Sequence, residues 1–310
     1  VKRLSTILIT GVAGFIGRHL ARFFTEEGHR IIGIDAVPPE NAPLSHIGTY
    51  YRLDLPHAEL ERILQTESPD VCIHCAGRAS VGLSLIDPAS DFRAGTLLTF
   101  ELLDALRRYA PTCRCIFLSS AAVYGNPQTL PVSETHPPAP ISPYGFHKWQ
   151  SELLCREFAT IYGLPTASVR IFSAYGPGLR RQVLWDICQK ALTHDVVRLQ
   201  GTGQESRDFI HVRDICRAIA FVADIAPLRG EMYNVASGQA TKIETLARLI
   251  IAEIAKPLIL EFDGTVPSGT PLYWQADIST LINAGFRLSI PLENGIKTFV
   301  TWCRAEVADL

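Results

Sequence analysis

The segment Thr10–Gly17, TGVAGFIG, constrains this chain more than any other. It sets Gly11, Gly14 and Gly17 between an apolar run, Thr6–Thr10, and a stretch of helical spacing, Phe15–Glu27, with Ile16, Leu20, Phe23 and Phe24 on one side. A first glycine allows the tight turn out of a strand, a second lets backbone approach a pyrophosphate, and a third permits close helix–sheet packing. A helix starting there offers free N–H groups and a positive dipole end to an anion. A ligand-free turn explains the glycines, but not the acid that ends the next strand-like run, Arg30–Asp35. A carboxylate at Asp35 can accept ribose hydroxyls and repels a 2′-phosphate, and no Arg or Lys follows it through Pro39. The pattern therefore predicts a dinucleotide and favours NAD over NADP. The alternative for Asp35 is a turn cap. Phe15 and Ile16 beside the glycines, Asp54 and Leu55 near the adenine, Cys75 and Ala76 after a later strand, and Tyr144 and Lys148 further along are additional candidate cofactor contacts.

The same alternation continues. Val71–Cys75, Cys115–Ser119 and Thr166–Phe172 read as buried strands, with long helices predicted over Pro88–Tyr109 and Pro143–Tyr162. Strands alternating with helices imply βαβ units. The expected fold is α/β, a doubly wound parallel (Rossmann) sheet with a smaller C-terminal substrate domain. Ligands then sit at the carboxyl ends of the strands. Beyond Phe172 the pattern loosens: a polar stretch 173–181, a helix near 183–193, a strand–helix segment from RDFIHVRD to Ala226, a short strand Met232–Val235, a helix Lys242–Ala255, then one strand and two helices. This predicts a dinucleotide-binding domain over 1–172, completed by about 207–236, and a substrate-binding domain from 173–206 and 237–310.

Composition narrows the class. Among 310 residues, 29 Lys and Arg against 31 Asp and Glu give a net charge of -2 with no basic run, which argues against a nucleic-acid partner. The longest apolar runs are too short to span a bilayer, and no secretory signal is read at the amino end. A cytoplasmic protein with reduced thiols is expected. Eight cysteines include Cys72-x-x-Cys75 and Cys113-x-Cys115, but both pairs lie in apolar, β-branched runs and read as buried small hydrophobes, with no metal site.

Catalysis is suggested by Tyr144 and Lys148, a Y-x-x-x-K pair that a helix stacks on one face. A phenol near pKa ~10 is a poor base at neutral pH. A neighbouring ammonium favours its phenolate, making a proton acceptor for a hydroxyl that is being oxidised. The alternative is a surface pair on an amphipathic helix. Ser120, at a strand end, can hydrogen-bond the same reacting oxygen. His74 and His147 read as packing residues rather than acid–base groups.

These residues sit in a longer series: GVAGFIG, HCAG (74–77), SSAAVYG (119–125), SPYGFHK (142–148), RIFSAYGPG (170–178) and RDFIHVRD (207–214). In that order and over essentially the whole chain, they resemble the extended short-chain dehydrogenase/reductase family, specifically NAD-dependent nucleotide-sugar epimerases and dehydratases, nearest the UDP-glucose 4-epimerase group. The resemblance implies NAD, a nucleoside-diphosphate sugar in the C-terminal domain, Ser120, Tyr144 and Lys148 as catalytic set, homodimers through two long helices, and a place in sugar-nucleotide or surface-polysaccharide metabolism. It also implies that a 4,6-dehydratase carries an Asp–Glu pair after the serine. Here Ala121–Ala122 stand there, and methyl groups transfer no protons. A 4-epimerase is expected, with a 4-keto-sugar reductase as second reading and a catalytically dead NAD-binding regulator as third; reductases of that kind usually take NADPH.

Some positions depart from the family pattern. Gly95 replaces an Asn inside the helix predicted from Pro88, where glycine weakens a helix by roughly 1 kcal/mol. Ser173 replaces another Asn, and no diphosphate-clamping Arg is evident in 265–271. Arg207 is the expected clamp, its alternative being a surface pair with Asp208; Arg180 and Arg181 are possible replacements, and Ser80 is a further candidate substrate contact. Trp185 is read either as a nucleobase platform or as a packing residue.

Overall fold

The computed structural model describes residues 4–42, 44–265 and 271–308. The chain divides into two compact units. The first comprises 1–125, 137–171 and 216–234; the second comprises 126–136, 172–215 and 235–310.

The first unit is built on a seven-stranded sheet. Its strands are β1 (Thr6–Thr10), β2 (Arg30–Asp35), β3 (Thr49–Arg52), β4 (Val71–His74), β5 (Arg114–Ser120), β6 (Thr166–Ile171) and β10 (Arg229–Val235). Their order is β10-β6-β5-β4-β1-β2-β3, and the pairings from β3 through β6 are all parallel. From β3 to β6 this is the doubly wound order, whose switch point falls between β1 and β4, where such sheets bind ligands. The helices between the strands are α1 (Phe15–Glu26), α2 (Glu59–Glu67), α3 (Val81–Ile86), α4 (Pro88–Phe92), α5 (Leu98–Tyr109) and α6 (Pro143–Tyr162). Apolar residues of the strands, such as Leu8, Ile32 and Phe117, pack with Leu60 and Ile63 of α2, Leu102 and Leu106 of α5, and Phe158 of α6 in one core. Cys72, Cys113, Cys115 and Cys155 belong to that core, and all eight cysteines are free.

The second unit holds β7 (Ser173–Tyr175), α7 (Gln182–Thr193), β8 (Val196–Leu199), β9 (Ser206–His211), β11 (Ala240–Lys242), α9 (Ile243–Ile254), β12 (Ile259–Phe262), α10 (Ser279–Ala284) and α11 (Leu292–Ala308). Strands β11, β9 and β7 form one small sheet, and β12 and β8 another. Leu184 and Ile187 of α7, Leu246 and Ile250 of α9, and Phe299 and Val300 of α11 make its core. The helix α8 (Val212–Ile225) spans the point in the chain where the first unit resumes.

Two boundaries differ from those expected. The completing segment begins at Cys216 rather than 207, because β9 pairs with β7 and β11 and not with the large sheet. Residues 126–136 belong to the second unit because Val132 bridges to Ala276, its N–H donating to the Gln275 carbonyl at 2.8 Å. The long helix expected over 88–109 is interrupted by a π-helical turn, Arg93–Leu97, with Gly95 at its centre. Such bulges cluster at functional sites, and this one places Ala94 on the wall of the cavity described next, with Leu98 just beyond it. Among the described residues no helix is long and apolar enough to cross a membrane.

Candidate active site

A cavity of about 360 Å³ opens at the carboxyl ends of β1, β2 and β4. Gly11, Gly14, Asp35, Asp54, Leu55, Cys75 and Ala76 line it, so seven of the expected cofactor contacts meet there. Phe15, Ile16 and Gly17 do not line it, as they form the first turn of α1, and neither do Tyr144 and Lys148 of α6. Gly11 has φ +70°, and a Cβ on it would lie 2.6 Å from the Ala76 nitrogen; a Cβ on Gly17 would strike the Gly11 carbonyl. The loop and the β4 end thus approach more closely than any side chain allows. Helix α1 has no capping side chain and no acid in its first turn, which leaves its N–H groups for an anion. The Asp35 carboxylate accepts hydrogen bonds from Ala13 N at 2.9 Å and Val37 N at 3.2 Å. It retains lone pairs for ribose hydroxyls. This donor set fits NAD. Asp35→Ala should narrow the NAD-over-NADP affinity ratio by about 10- to 100-fold, the range for losing hydrogen bonds to a charged group, measured by titrating both dinucleotides; an unchanged ratio would return Asp35 to the role of turn cap.

The three residues expected to be catalytic, Ser120, Tyr144 and Lys148, lie in the same unit. Ser120 ends β5 and starts a 3₁₀ turn, Ala121–Tyr124, its Oγ accepting from Ala122 N at 3.2 Å. Tyr144 and Lys148 occupy the first two turns of α6. Ser142 caps that helix, accepting from Gly145 N at 3.2 Å, and Pro143 opens it, so the sequence S-P-Y-G sets the tyrosine at a helix start. The Tyr144 N–H, in the first turn of the helix, donates to Ser84 Oγ on α3 at 3.1 Å. Gly145 lets α6 press on the 3₁₀ turn, since a Cβ there would lie 2.6 Å from the Ala122 carbonyl oxygen. Lys148 Nζ donates to the Leu118 carbonyl at 2.8 Å and lies 4.7 Å from the Phe117 ring centre and 5.9 Å from that of Tyr144. Burial lowers its ammonium to about 8, against the raising influence of Cys75, Asp91 and Glu152. Burial chiefly, then the Lys148 charge, lowers His74 to about 3. Its ring meets Thr10 Oγ1 at 2.7 Å and Thr99 Oγ1 at 3.3 Å, the packing role expected. His147 Nδ1 pairs with Asp91 at 2.6 Å.

Sequence reading missed the support beneath this trio. Glu152, one turn after Lys148, is buried and forms a two-pronged pair with Arg170 of β6, at 2.9 and 2.7 Å. Ser119 Oγ donates to the same carboxylate at 2.6 Å, and Arg170 donates to Tyr124 OH at 2.9 Å, which donates to Asn234 at 2.7 Å. Ser119 and Arg170 are register partners on β5 and β6. The network therefore ties the strand end carrying Ser120 to the helix carrying Tyr144 and Lys148. Its signal was present: ionisable residues in otherwise apolar strand and helix patterns.

The expected substrate residues are distributed differently. Ser80 caps α3, accepting from Leu83 N at 3.2 Å. Ser173, Arg181 and Arg207 lie in the second unit: Ser173 opens β7, a strand where only a polar stretch was expected, and Arg181 precedes α7. Arg207 does not pair with Asp208, whose carboxylate is buried and accepts from Ser237, Gly238 and Ala276. The Arg207 guanidinium instead lies 5.5 Å from the Trp274 ring centre and donates to the Ser206 and Leu272 carbonyls at 2.8 and 3.1 Å. Arg180 is paired with Glu306, and Trp185 packs on Trp302 at 5.4 Å, a packing residue. Most of the segment searched for a second clamping arginine, 266–270, lies outside the described residues.

Fold and site together define an NAD-binding oxidoreductive enzyme of the doubly wound class. Residues 7–236 match the NAD dependent epimerase/dehydratase family, and the chain belongs to it. It is 28% identical over 323 residues to a UDP-glucuronate 4-epimerase of Thermodesulfobacterium geofontis, covering 97% of this chain and 96% of that one. A solved UDP-glucose 4-epimerase of Thermus thermophilus in complex with NAD superposes with a TM-score of 0.87 at 26% identity, covering 96% of this chain and 99% of that one. A UDP-N-acetylglucosamine 4-epimerase of Methanobrevibacter ruminantium, in complex with UDP-N-acetylmuramic acid, gives 0.88 at 26% identity, covering 98% and 99%. The enzyme's cofactor is NAD, as the cavity indicates.

Proposed function

We propose that this protein is a nucleotide-sugar 4-epimerase that oxidises C4 transiently and reduces it again from the other face. The observation that carries the reading is the trio Ser120, Tyr144 and Lys148 beside an alanine pair. Ala121 and Ala122 are buried in the 3₁₀ turn and offer no acid or base for dehydration. NAD, when bound, supplies the two-electron acceptor and donor for C4. Tyr144 takes the proton from the C4 hydroxyl and returns it, Ser120 orients that hydroxyl, and the Lys148 ammonium favours the phenolate. The three relatives named above act at position 4 and differ in the sugar, so a UDP-hexose is the class supported. Incubation with UDP-glucose, UDP-N-acetylglucosamine and UDP-glucuronate should yield the C4 epimer of at least one by NMR, with no net consumption of NAD. A 4-keto-6-deoxy product, or stoichiometric oxidation of NADPH, would overturn the reading.

Ser80, Ser173, Arg181 and Arg207 are proposed substrate contacts, with Arg207 as the diphosphate clamp. A guanidinium fork matches phosphate oxygens, and among the described residues Arg207 makes no ion pair. Arg207→Ala should raise KM for the nucleotide sugar about 30- to 150-fold, corresponding to roughly 2–3 kcal/mol, while NAD affinity stays unchanged; normal KM would shift the role to Arg181. We also propose a homodimer through α5 and α6, whose exposed Phe100, Phe146, Leu153 and Ile161 suit an interface. The eight free thiols suit the cytoplasm.

A further inference from the structure

We propose that Arg78, which no motif of the chain singled out, binds the diphosphate of the cofactor. The cavity wall carries two carboxylates, Asp35 and Asp54, while Arg78 is the one Lys or Arg among its described lining residues. A dinucleotide diphosphate brings two further negative charges into that space. The α1 dipole offsets about half a charge. Arg18, the basic residue nearest the glycine loop in sequence, is turned onto the loop itself, donating to the Ala13 carbonyl at 2.8 Å and the Gly14 carbonyl at 3.4 Å. Arg78 is differently placed. It follows Gly77 on the loop leaving β4, and its nearest acid is Asp87 at 3.8 Å, with the two side chains 40% and 48% exposed. Asp87 is otherwise engaged as the cap of α4, accepting from Ser90 N at 3.1 Å. An ion pair that long and that exposed holds weakly. A diphosphate offers the guanidinium a two-pronged, charge-assisted alternative. Asp87 thus keeps Arg78 at the cavity mouth and yields it to the ligand.

A nucleotide sugar carries the same diphosphate chemistry, so the test separates the two sources. Binding of NAD, ADP, adenosine and UDP is measured by calorimetry on wild type, Arg78→Gln and Arg78→Lys, with near-UV circular dichroism checking the fold. Arg78→Gln should weaken NAD and ADP by about tenfold or more, leave adenosine and UDP unchanged, and flatten the salt dependence of ADP binding. Arg78→Lys should recover part of the loss, since it keeps the charge without the fork. Unchanged ADP affinity in Arg78→Gln would overturn the proposal. So would an equal loss for adenosine, which marks a displaced loop, or a loss for UDP alone, which assigns Arg78 to the sugar nucleotide.

Discussion

Tyr144→Phe should lower turnover by about two to four orders of magnitude, the range for losing a positioned proton-transfer group. NAD affinity should change little, because Gly11, Gly14 and Asp35 line the cofactor cavity without the tyrosine. The fold should also survive, since the backbone N–H of residue 144, not its phenol, meets Ser84. Lys148→Met should do at least as much harm. It removes the charge proposed to favour the phenolate, and the Leu118 carbonyl loses the Lys148 donor. Ser120→Ala should cost less, because the role proposed for the serine is to orient the hydroxyl without transferring its proton. Steady-state kinetics on the epimerised sugar, with dinucleotide titration in parallel, checks all three. A Tyr144→Phe enzyme with wild-type kcat would remove the tyrosine from the chemistry.

Arg170→Met should destabilise the first unit by about 3–5 kcal/mol, because it strands a buried carboxylate. Among the described residues Glu152 would keep only the Ser119 hydroxyl as hydrogen-bond partner, and Tyr124 would lose the Arg170 donor. Pairing the change with Glu152→Leu should recover most of the loss, since an apolar replacement of a whole buried ion pair is often neutral. Urea unfolding of both single variants and the double variant measures the coupling. Additive losses in the double variant would mean that the two residues do not act as a pair.

What was legible in the sequence is local. The glycine loop, the S-P-Y-G helix start and the Y-x-x-x-K spacing each lie within a few residues, so periodicity and capping rules reach them. α6 accordingly runs over Pro143–Tyr162 as predicted. Short edge elements escaped: β3, TYYR, is four residues long with no clear alternation of burial, and β7 is only three residues. The break at Arg93–Leu97 was hinted at by Gly95, but its π geometry depends on packing against α6, where Thr96 donates to the His147 carbonyl at 3.2 Å. The support of the site was hidden for a different reason. Ser84 meets Tyr144, and Glu152 meets Arg170, only after distant segments are brought together. Nothing in spacing announces such a pairing. The one clue is a charge in a position where burial leaves no water to solvate it.

The order of the large sheet has a consequence for synthesis. Strand β6 is buried along all six residues, between β5 and β10, yet β10 is encoded beyond 172–215. A nascent chain that has just emerged through Ile171 therefore carries a strand built to be wholly buried as a bare sheet edge, the kind that pairs with other chains. It stays bare while the ribosome makes residues 172–215 of the second unit and then α8, and only translation past Asn234 supplies the strand that closes it. The first unit cannot finish folding as an amino-terminal fragment. The interval in which the chain is prone to aggregate is set by how quickly those intervening residues are made.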